Sequence, residues 1–117
     1  MNFRFPEDDR QFTWTRHIKN KMLFYGLSEQ RVRGVFKSPA RLVEGVAEDT
    51  IAAMKPNSTK SRREEVWIMY RAQKVKSKQA PKILMISAWR YPGLSNPEKA
   101  VPIPEEVVLE LGLRIQA

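Results

Sequence analysis

The chain contains no cysteine and only one histidine, His17, among its 117 residues. The first absence excludes a disulfide scaffold, a thiol nucleophile and every cysteine-based zinc or iron–sulfur site. The second excludes a histidine-rich metal site built from one chain, and no cofactor is expected. No apolar run approaches the roughly 20 residues that a bilayer crossing needs. The longest, Ile83 to Trp89, is broken by Ser87, so no membrane partner is expected. The loops G-x-G-x-x-G and G-x-x-x-x-G-K-[ST] are missing, which removes the common dehydrogenase and NTPase readings. A G-x-S-x-G elbow is missing too, and with it the common esterase reading. Glu7, Asp8 and Asp9 fit no secretory or transit peptide, so a cytoplasmic location is expected.

Positive charge, by contrast, is plentiful. Lys and Arg number 21 against 13 Asp and Glu, a net charge of +8. Such a balance in a small domain favours polyanionic partners, nucleic acid first. With 42% hydrophobic and 29% charged residues the composition is globular. The length suits one domain with one real core.

Residues 1–12 read as an arm of mixed charge without a period. Helical spacing begins near Thr13, where Trp14, Ile18, Met22 and Tyr25 make one apolar stripe. Thr13 or Thr15 is the expected N-cap, and Gly26 supplies the left-handed residue that ends the helix. Ser28 opens a second helix with Glu29 in its first turn, and Ser38-Pro39 stops it. Strand texture follows over 42–46, 50–54, 65–71 and 83–90, the last apolar enough to be central in a sheet. Two basic loops separate the later strands. One carries Lys55, Lys60, Arg62 and Arg63; the other, over 72–82, carries Lys74, Lys76, Lys78 and Lys82. A Pro-rich segment then ends in an acidic, amphipathic helix, Glu105 to Leu111, expected to dock on the rest of the chain. The expected fold is α+β: an N-terminal two-helix hairpin packed on a roughly four-stranded antiparallel sheet, with a short C-terminal helix. The arm spans 1–12, the domain 13–92 and the Pro-rich tail 93–117.

The stretch FTWTRHIKNKMLFYGLSEQRVRGVFKSP resembles the opening of a widespread bacterial and phage domain family. The matching positions are Thr15, His17, Met22, Gly26, Leu27, Ser28, Val32 and Pro39. The later segments EEVWIMYR and KILMISAWRYP are similar to that family's closing strands. Tyr25 departs from the pattern, standing where the family's turn carries Arg. The family is grouped by fold with the barnase–EndoU–colicin–RelE class of small ribonucleases and toxin-like proteins. The resemblance implies a toxin-like, metal-independent endoribonuclease, and an antitoxin protein as a partner.

Metal-free RNA cleavage needs a base for the 2′-hydroxyl, an acid for the 5′-oxygen and cations for the phosphorane. His17 is the one side chain whose ordinary pKa suits the first two roles. Arg90 occupies a place where the class often puts a phosphate-binding residue. Tyr91 beside it is a candidate proton donor, and Trp89 a candidate stacking platform for a base. Arg62, Arg63, Arg71, Lys74, Lys76, Lys78 and Lys82 are candidate nucleic-acid contacts, with RNA favoured over DNA. The alternatives are a non-catalytic RNA- or DNA-binding module on the same fold and a small protein-interaction domain.

Overall fold

The computed structural model describes residues 3–73 and 81–113. The chain runs β1 (Phe12–Trp14), α1 (Arg16–Tyr25), α2 (Glu29–Lys37), β2 (Arg41–Glu44), β3 (Ile51–Pro56), β4 (Glu64–Gln73), β5 (Lys82–Pro92) and α3 (Glu105–Leu111). The α+β class is as expected. The sheet is not: it has five strands, ordered β1-β5-β4-β3-β2, and it is mixed. β1 pairs parallel with β5, and the other pairings are antiparallel. The extra strand was hidden because Phe12 and Trp14 alternate with Thr13 for only three residues. Trp14 also stands four residues before Ile18, so it mimics the start of the helical stripe.

The helices start and stop for local reasons. Thr15 caps α1, its hydroxyl accepting the Ile18 N–H at 3.1 Å. Gly26 closes that helix at φ 66°, a conformation most side chains avoid. Ser28 caps α2 through the Arg31 N–H, and Pro39 prevents its continuation. Among the described residues no helix is long and apolar enough to cross a membrane.

Both faces of the sheet are covered. On one face α1 and α2 pack Ile18, Met22, Val32 and Val35 against Phe12, Val66, Ile68 and Met85. On the other, the chain after β5 and α3 cover Trp67, Met69 and Trp89. The two indoles stack there with centroids 6.2 Å apart. The tail therefore docks intramolecularly, with Val107 and Val108 buried.

An irregularity in β5 positions the site. Met69 pairs with Ser87 but Tyr70 pairs with Met85, which leaves Ile86 as an extra residue on β5. The bulge turns Ser87 out of the alternation begun by Ile83 and Met85. It also seats the start of α1: Thr15 donates its N–H to the Met85 carbonyl and its hydroxyl to the Ile86 carbonyl. β1 pairs only as far as Met85. Beyond it α1 runs along β5, with Ile18 and Met22 in the helix-side core and His17, Lys21 and Tyr25 bonded toward α3.

Candidate functional site

Residues 16, 17, 20, 21 and 24 fall on one side of a helix, since positions three and four apart are neighbours. On α1 they meet Glu110 of α3 around an open groove of about 480 Å³, lined by Arg16, His17, Asn20, Lys21, Phe24 and Glu110. Lys21 is buried, donates to Glu110 Oε1 at 2.7 Å and sits over the Phe24 ring. Phe24 itself is 69% exposed, an unusual position for so large an apolar ring.

His17 lies between two partners. Its Nδ1 is 3.2 Å from Glu110 Oε2 and its Nε2 is 2.8 Å from Ser87 Oγ. A carboxylate only accepts, so the neutral ring donates from Nδ1 to Glu110, and Nε2 accepts the Ser87 hydroxyl proton. Burial lowers the pKa of His17 below its ordinary value, and Lys21 adds to the effect while Glu110 opposes it. The neutral ring is thus the favoured form. Serine, imidazole and carboxylate stand in the order of a hydrolase triad, but Ser87 is completely buried. No substrate reaches its hydroxyl, and the serine holds the imidazole instead of attacking. Tyr25 donates to Glu106 at 2.5 Å, a second link between α1 and α3. Burial and that carboxylate together raise the Tyr25 pKa.

The residues expected to act with His17 are placed elsewhere. Arg90 bonds through Nε to the Tyr25 carbonyl, through Nη2 to the Gly26 carbonyl and through Nη1 to Glu64. It therefore neutralises the C-terminal end of α1, whose last carbonyls have no helical partner. His17 stands at the other end of the same helix, roughly 12 Å away at 1.5 Å per residue. Trp89 is completely buried and donates Nε1 to the Pro102 carbonyl, so it presents no ring to a base. Tyr91 is half-buried against the same tail-side core.

Arg62 and Arg63 are exposed before β4, whereas exposed Arg71 and half-buried Lys82 lie at its far end. Arg62 and Arg63 therefore stand at the opposite end of β4 from Arg71 and Lys82, roughly 30 Å away for a ten-residue strand. These four described residues make no common rim. Lys74, Lys76 and Lys78 fall outside the described residues.

Arg16, Lys21, Phe24, Ser87 and Glu110 were not singled out as site residues from the sequence. The spacing from Arg16 to Phe24 carried a signal for the α1 members. Nothing local pointed to Ser87 or Glu110, which lie 70 and 89 residues from the His17 and Lys21 side chains they bond. Comparison with protein-family models, with curated proteins and with solved structures finds no match.

Proposed function

We propose that this chain is a toxin-like, metal-independent endoribonuclease that works in the groove between α1 and α3. One observation carries the reading. The only histidine shares that open groove with a carboxylate, two cations and an exposed aromatic ring. The resemblance of the opening segment to the barnase–EndoU–colicin–RelE class adds to it. A base stacks on Phe24, a contact worth about 1–3 kcal/mol. Exposed Arg16 faces the phosphate and its dianionic transition state, while buried Lys21 holds Glu110 in place. Glu110, oriented by the His17 Nδ1–H that it accepts, takes the proton from the 2′-hydroxyl. The 2′-oxygen then bonds to phosphorus, the bond from phosphorus to the 5′-oxygen breaks, and the proton passes to that leaving oxygen. The products are a 2′,3′-cyclic phosphate and a 5′-hydroxyl. On this reading the RNA substrate is cytoplasmic, and a cognate antitoxin is a protein that covers the groove.

A second reading has its own observation: both ring nitrogens of His17 already have hydrogen-bond partners, one of them buried. That arrangement suits a fixed strut in a non-catalytic RNA-binding module. The experiment separating the two incubates wild type, His17→Ala and Phe24→Ala with labelled single-stranded and hairpin RNAs in EDTA. Cleavage that survives EDTA and disappears in His17→Ala supports the enzyme. Salt-dependent binding without cleavage, weakened in Phe24→Ala, supports the binding module. RNA left uncut and unbound by every protein overturns both.

A further inference from the structure

α2 carries a glycine that the fold itself does not use. Gly34 is the sixth of the helix's nine residues, a position where only proline is less favourable. A left-handed backbone would call for glycine, but the described glycines with positive φ are Gly26, Gly93 and Gly112. Close packing would call for it too, as at Gly45, where a Cβ would collide with the Thr50 side chain. Among the described residues, however, a Cβ on Gly34 would meet nothing within 4 Å. What remains is a third use of glycine, the close approach of another molecule to the helix backbone.

Gly34 faces an open groove of about 910 Å³. Gln30, Gly34 and Lys37 recur at helical spacing on the face of α2 opposite buried Val32 and Val35. Phe3 and Arg4 bring the N-terminal arm to the same groove. The arm is tied to the fold: Phe3 packs on the helix-side core, and Asp9 accepts from Arg33 Nη2 at 2.8 Å. Arg33 is itself committed to the fold, since its Nε donates to Glu29 and its guanidinium lies over the Phe12 ring. Arg4 and Lys37 are different. Both are exposed, and neither makes an ion pair with a described residue. Beside them Phe5 is 44% exposed, its ring centroid 5.1 Å from that of Phe3.

We propose that this groove binds a single nucleic-acid strand, whose sugar–phosphate backbone crosses α2 at Gly34 with phosphates on Arg4 and Lys37. The two cations alone would suit any polyanion. The Phe3 and Phe5 rings decide for nucleic acid, because unpaired bases stack on aromatic side chains and an acidic polypeptide has no bases to offer. With the arm and α2 already fixed to one another, little ordering opposes binding. The groove shares no lining residue with the one between α1 and α3, and it does not depend on cleavage there.

The test is fluorescence anisotropy on the full chain with a labelled 2′-O-methyl RNA strand, which lacks the hydroxyl that cleavage needs. Gly34→Ala favours the helix and fills open space, so it is expected to raise the urea midpoint. The same methyl group is expected to weaken RNA binding about tenfold. Gly34→Leu, also a good helix former, is expected to weaken it further with an unchanged circular dichroism spectrum. Lys37→Gln should lower the salt slope by about 0.7, the share of one phosphate contact on a single strand. A wild type that does not bind the strand overturns the inference. So does a Gly34→Leu protein that binds as wild type does, whether or not the α1–α3 groove cuts RNA. Labelled poly-glutamate bound as tightly as the RNA overturns it too, and makes the ligand an acidic protein.

Discussion

The two ends of α1 carry similar chemistry to different ends. At its C-terminus the Arg90 guanidinium is directed wholly inward, to the Tyr25 and Gly26 carbonyls and to buried Glu64. Near its N-terminus His17 and Lys21 share Glu110, a carboxylate that stays 45% exposed beside an open groove. A cation at the end of a strand is therefore no sign of a phosphate site by itself. What decides is whether nearby orphan carbonyls and buried carboxylates already claim its donors.

Arg90→Ala attacks the closed end, stranding Glu64 and two carbonyls. It is expected to lower stability by about 3 kcal/mol, read as a fall in the urea midpoint. RNA binding by the folded fraction should be unchanged. Phe24→Ala attacks the open end and inverts that pattern. Stability stays within about 0.5 kcal/mol, whereas affinity for single-stranded RNA falls by about 2 kcal/mol in a titration. Glu110→Ala sharpens the contrast by removing the shared acceptor of His17 and Lys21. A loss of about 1 kcal/mol is expected, because the carboxylate is half exposed.

The smallest effect is on pH dependence. The folded protein binds the His17 proton more weakly than the unfolded chain does. The stability tied to its neutral ring is present above the unfolded value of about 6.5 and is lost as the pH falls from there toward the lower folded value. Urea melts across this range should slope downward on acidification, and His17→Gln should flatten that slope. Asp9 contributes separately. Its bond to Arg33 and the Phe12 N–H hold its pKa near about 2, against an ordinary 3.8. Its share is lost only between those values.

Much of the fold was legible because its signals are local. The caps at Thr15 and Ser28, the stops at Gly26 and Pro39, and the acidic α3 each depend on a few consecutive residues. Three-residue β1 escaped, since two aromatic residues cannot establish a period of two. The site was legible only in part. His17 stood out as the single histidine, but its partners come from a bulge in β5 and from the tail. Register and tail docking are set by the whole sheet, so no window around His17 contains them. The internal bonding of Arg90 and Trp89 was not legible for a related reason. Their chemistry suits nucleic acid equally well whether they are exposed or consumed within the fold, and only packing distinguishes the two.

The parallel pairing of β1 with β5 has a consequence for biosynthesis. Phe12 and Trp14 leave the ribosome well before their neighbouring strand, at Ile83 and Met85, is made. Trp67 and Trp89 wait longer still, for Val107 on α3. Neither layer can close before those later residues have emerged, since loop closure must precede the contacts that reward it. The growing polypeptide thus carries these aromatic residues uncovered until the segment that holds Val107 has emerged.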